Sequence, residues 1–88
     1  MCTMITQQIE MNATGKGAKG WFSVRQANVS FDHPFNFPGE HALNIDFVDE
    51  SQGVGARVAV EMNAASARSL AQAILDVLAK AEAAGVVE

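Results

Sequence analysis

Ten consecutive residues concentrate the side chains best suited to chemistry. Asp32-His33-Pro34-Phe35-Asn36-Phe37-Pro38-Gly39-Glu40-His41 holds both histidines, both prolines and two of the five phenylalanines. An imidazole titrates near neutral pH, so His33 or His41 could act as general acid or base. Asp32, Glu40 or Asp46 could orient it. The same imidazoles could share a divalent metal with a carboxylate, or with the Cys2 thiolate. Their spacing matches no standard zinc signature, and no metal site is assigned. Pro38-Gly39 suits the centre of a type II turn, since proline fixes φ and glycine accepts a positive one. A rigid connection carrying histidine and carboxylates fits a binding or catalytic site, with Phe35 and Phe37 lining an apolar pocket. The structural alternative is a surface loop whose phenylalanines close the end of a small core and whose histidines are solvated.

Other features carry less. Gly15-Lys16-Gly17-Ala18-Lys19-Gly20 formally fits G-x-G-x-x-G. A dinucleotide site needs that motif between a strand and a helix, and here a strand follows. The expectation is a flexible glycine-rich hairpin loop over residues 14–20. Cys2 is the one cysteine, so an internal disulfide is impossible and a C-x-x-C motif is absent. Trp21 and Arg25 fall together on the polar side of a strand, where they could stack a flat ligand or anchor a partner. Asp49 and Glu50 read as residues that keep a turn solvated.

The elements that position these residues follow from periodicity. Residues 3–12 alternate, with Ile5, Ile9 and Met11 on one parity. Residues 21–31 alternate with a slip: Phe22 and Val24 share one parity, Ala27, Val29 and Phe31 the other. A one-residue bulge near Gln26 reconciles them. Residues 41–48 and 54–62 supply two further strands, with Leu43, Ile45, Phe47, Val58 and Val60 inward. Asn63 is a fitting N-cap, and apolar residues recur at helical spacing from Ala67 to Ala81. Gly85 stands where a helix ends. The expected fold is a single α+β domain over residues 1–88: a four-stranded antiparallel meander with one amphipathic C-terminal helix packed on one face. The other face is polar.

Composition narrows the function classes. The 88 residues carry a formal charge of −4, and the six basic residues are scattered singly. No cluster could neutralise a row of phosphates or an anionic membrane surface. No apolar run is long enough to span a bilayer, and no secretory signal opens the chain. A cytoplasmic location is the default expectation. One helix covers one sheet face only, so a homodimer is expected to protect the strand edges and exposed aromatics.

Two stretches carry a resemblance. They are the opening Met1-Cys2-Thr3-Met4-Ile5, and Gly17-Ala18-Lys19-Gly20-Trp21-Phe22 followed by Asp32-His33-Pro34-Phe35 and Glu40-His41-Ala42-Leu43-Asn44-Ile45-Asp46-Phe47. Together they resemble a family of short uncharacterised bacterial proteins, a domain of unknown function. The resemblance covers essentially the whole chain. It implies a bacterial, intracellular, stand-alone domain and supplies no activity, cofactor or residue role. The expected function is therefore a small binding or accessory protein presenting residues 32–50 at a dimer interface to a small molecule or partner protein. Its ligand contacts are Trp21, Arg25, Phe35, Phe37 and Glu40. The alternative is a small enzyme using His33, His41, Asp32 and Asp46 in hydratase, lyase, hydrolase-like or metal-assisted chemistry.

Overall fold

The structure is a computed structural model that describes residues 5–53 and 55–87. Cys2 lies outside the described residues. Four strands, β1 (Ile5–Gly17), β2 (Gly20–Asp32), β3 (Ala42–Val48) and β4 (Arg57–Met62), precede one helix, α1 (Ala64–Ala83). The strands form one open antiparallel sheet in the order β1-β2-β3-β4. This is the expected α+β meander.

Register sorts the side chains onto two faces. Ile5 pairs with Phe31, Ile9 with Ala27, Val29 with Ile45, and Ile45 with Val60. These residues share the apolar face. Ser30, Asn44 and Glu61 pair in a row on the opposite, polar face. Val24 and Ala27 are both buried although their positions differ by three, an odd step along a strand. The pairing shifts register beside them: from the Glu10–Gln26 pair to the Ala13–Val24 pair, β1 advances three residues and β2 two. The irregularity stands at Gln26 as expected, but the extra residue belongs to β1.

The glycine-rich stretch is mostly strand. Only Ala18 and Lys19 separate β1 from β2, so the long flexible loop expected over residues 14–20 is replaced by a tight hairpin. Phe22 and Val24 explain two of the glycines. A Cβ at Gly17 would meet the Phe22 ring at 3.2 Å, and one at Gly15 would meet Val24 Cγ2 at 3.1 Å. The phenylalanine lies across β1 where β1 has no side chains.

The polar turn after β3 is a short 3-10 helix over Glu50–Gln52. Asp49 caps it and is buried, not solvated as the sequence suggested. Its carboxylate accepts from Ser51 N–H at 3.1 Å, Ser51 Oγ–H at 2.6 Å and Gln52 Nε2–H at 2.7 Å. The Ser51 and Gln52 side-chain bonds hold its pKa below the ordinary aspartate value.

Helix α1 has the expected ends. Asn63 Oδ1 accepts from Ser66 N–H at 2.8 Å. At the other end Gly85 takes a φ of 74°, with Gly85 N–H donating to Glu82 O and Val86 N–H to Ala81 O. Those two bonds form a Schellman motif. Asn63→Ala should cost about 1 kcal/mol, read as a lower urea midpoint with an unchanged slope.

The helix departs from expectation in its packing. It touches the sheet slightly, at β3, and none of its described residues is buried. Leu70, Ile74 and Leu78 of the apolar stripe are about half exposed. The connector explains this. One residue, Asn63, joins β4 to α1, and its backbone is extended at φ −76° and ψ 167°. Strand-to-helix connections normally need about two to six residues to turn a helix back over its sheet. The chain therefore runs onward from β4, giving a radius of gyration of 14.7 Å, against about 12 Å for a compact domain of this length.

Candidate functional site

The polar face and the loop between β2 and β3 form the site. Ser30, Asn44 and Glu61 lie in line across β2, β3 and β4. In the next row, Asp46 pairs with Ala59, and Arg57 reaches Asp46 diagonally. Arg57 Nε and Nη2 donate to Asp46 Oδ1 at 3.0 and 2.7 Å. Diagonal neighbours on one face are within reach of a long side chain.

Glu61 holds the loop over this face. Its Oε2 accepts from Phe35 N–H at 2.6 Å, and its Oε1 from Asn36 and Phe37 N–H, each at 2.9 Å. Three successive backbone donors converge on one carboxylate, an arrangement that backbone amides otherwise offer to bound anions. The Phe35 bond, then those of Phe37 and Asn36, hold the Glu61 pKa below the ordinary glutamate value. Prolines 34 and 38 flank the captured amides and stiffen the segment.

Between loop and sheet lies an open concavity of about 900 Å³. Ser30, Asn44, Asp46, Arg57 and Glu61 line it from the sheet, and residues 32–38 from the loop. Its volume falls within the range of small-molecule sites. Three carboxylates, from Asp32, Asp46 and Glu61, line it with one guanidinium, which pairs with Asp46. Asn44 Oδ1 is shielded from solvent, and no donor among the described residues reaches it. A buried acceptor left unpaired costs about 1–3 kcal/mol. Such exceptions in a folded chain call for a specific explanation.

The two histidines meet each other. Asp32 pairs with Ala42, so His33 and His41 are the next facing positions, and their rings stack at 4.8 Å. His41 also stacks on Phe31 at 6.1 Å. His33 Nδ1 lies 2.8 Å from Glu40 O. A carbonyl only accepts, so Nδ1 carries the proton and Nε2 is the basic nitrogen of the neutral ring.

Asp32 and Asp46 line the concavity with His33, but among the described residues no carboxylate hydrogen-bonds either imidazole. Strand alternation puts His41 on the side of Leu43, opposite Asp46. Asp32 Oδ1 accepts from His33 N–H at 2.7 Å, a local turn bond. Asp46 is paired with Arg57. Glu40 meets His33 through its backbone oxygen. Among the described residues no three histidine, cysteine, aspartate or glutamate side chains are placed to hold a metal.

The remaining candidates divide. Phe37 lines the concavity and is half-buried. Phe35 reaches the same rim, but its side chain is 98% exposed instead of enclosed. Trp21 pairs with Lys16 near the hairpin turn and is 71% exposed; neither it nor Arg25 lines the concavity. Glu61, Arg57, Asn44 and Ser30 were not singled out in the sequence beyond their polar parity. Pairing the strands by parity would have aligned Ser30, Asn44 and Glu61.

No described helix is long and apolar enough to cross a membrane. A family model described as a family of unknown function matches residues 1–87. No curated protein matches the chain, and no solved structure does.

Proposed function

We propose, for a chain that belongs to the family of unknown function DUF6295, that it acts by binding a small, donor-bearing polar molecule in the concavity between its polar sheet face and the 33–38 loop. The observation that carries this reading is the concavity's lining, in which the carboxylates of Asp32, Asp46 and Glu61 and the amide of Asn44 outnumber the one guanidinium of Arg57. Those acceptors suit ligand N–H groups, and the excess of carboxylates favours a neutral or cationic ligand over an anion. Phe37 and the prolines supply the apolar wall that such sites combine with a few polar groups.

Acid–base catalysis has less support. A working imidazole needs a partner that orients it and a reacting atom in reach. His33 Nδ1–H donates to the Glu40 backbone oxygen, not to a carboxylate, and its ring lies against a second imidazole.

Titration followed by ¹H–¹⁵N spectra tests the reading, with agmatine as a donor-rich cation and succinate as its anionic counterpart. Agmatine is expected to move the Asn44 side-chain signals and the amides of residues 35–37, and succinate to leave them in place. Asn44→Leu should weaken agmatine binding about tenfold or more, while leaving stability equal or higher, because an apolar group then replaces an unpaired acceptor. Equal response to succinate, or no response to agmatine at millimolar concentration, would sink the reading.

A further inference from the structure

We infer that two copies of this chain close on each other by exchanging helices, each α1 lying across the apolar sheet face of the other. Four observations carry this. The chain has two apolar surfaces without a covering element, the helix stripe at Leu70, Ile74 and Leu78 and the sheet face around Ile9, Ile45 and Val60. Burying each against the other leaves neither in water.

The one-residue connector decides whose helix covers whose sheet. Asn63 is extended and cannot turn α1 back over its own strands. A hinge too short to fold back is a common origin of element exchange between identical chains. The amphipathic helix also needs a surface to pack on, since packing supplies most helical stability in proteins.

Dimensions and area agree. The 20-residue helix is about 30 Å long, and the 7-residue β3 runs about 23 Å. The helix can therefore span β3 and the parts of β2 and β4 paired with it. The chain exposes 6733 Å², whereas a folded monomer of 9.3 kDa exposes about 5,000 Å². Covering that excess on both copies buries about 3,500 Å², within the range of obligate homodimers.

The exchange fixes where the assembly meets its ligand. The apolar faces turn inward, and both polar faces, with their concavities, remain outside. The interface is then the apolar face and α1, not the 32–50 region to which the sequence pointed.

The test uses the full chain. Light scattering at micromolar concentration is expected to give twice 9.3 kDa. Mixed ¹³C-labelled and unlabelled chains, refolded together, should show isotope-filtered contacts between methyls of Ile74 or Leu78 and those of Ile45 or Val60 on the other chain. Inserting Gly-Ser-Gly between Asn63 and Ala64 should let α1 fold back and give a monomeric mass. A monomeric mass for the natural chain overturns the inference. So do filtered contacts between two sheet faces without helix signals, and a dimer that persists with all helix–sheet contacts within one chain.

Discussion

Val24→Asp is expected to abolish cooperative folding. Val24 is 2% exposed and is the one buried apolar side chain larger than alanine among the described residues; the others are Ala27, Ala42 and Ala56. Met11, Ala13, Phe47 and Val58 gather with it on the inner side of the curled sheet. A carboxylate there would lose its hydration and gain no partner, at a cost of several kcal/mol. A domain of this length has a total margin of about 4–13 kcal/mol. Val24→Ala is the control. It removes two methyl groups, should cost about 1–3 kcal/mol, and should keep a cooperative transition. Urea melts followed by circular dichroism separate the two. A folded Val24→Asp with a near-normal midpoint would show that the core lies elsewhere.

The second large effect concerns Glu61. Glu61→Ala should leave the sheet intact and release the loop, because Phe35, Asn36 and Phe37 lose their shared acceptor. Their amides should exchange with solvent about an order of magnitude faster, and the concavity should lose its loop wall. Glu61→Gln is the sharper probe. Both carboxylate oxygens accept, so an amide nitrogen in either place faces a backbone N–H donor. It too should speed exchange, although it keeps the size of the side chain. Unchanged exchange in both variants would remove Glu61 as the anchor.

The same carboxylate sets a pH dependence. Backbone donors stabilise its ionised form, so its pKa is lower in the folded loop than in the free chain. Its contribution to order is complete above the ordinary glutamate value and is lost as pH falls through the lowered one. Asp49 behaves in the same direction through Ser51 and Gln52. The loop amides should therefore be insensitive to pH near neutrality and lose protection only in acid. Loss of protection already near neutral pH would remove Glu61 as the group that sets it.

The site was partly legible. The 32–41 stretch stood out by composition, and it does form one wall of the concavity. Its partner on the sheet did not stand out. Glu61 lies 24 to 26 residues from the amides it holds, and no local pattern signals a capture across that distance. The histidines show the opposite case. Counting parity back from Leu43 places His41 on the inner side, away from Asp46, so their separation was readable.

By itself the sequence determined what depends on neighbours a few residues apart. Alternation of period two set four strands and their two faces, and Asn63 and Gly85 set the ends of the helix, because these signals act through local backbone geometry. Tertiary structure decided what depends on pairing between distant segments. Register brought His33 onto His41 and lined up Ser30, Asn44 and Glu61. Fold-back of the loop gave Glu61 three backbone donors. The one-residue connector held the apolar helix off its own sheet. An amphipathic stripe records that a helix must be covered, since apolar area is costly in water, but it carries no mark of which surface covers it.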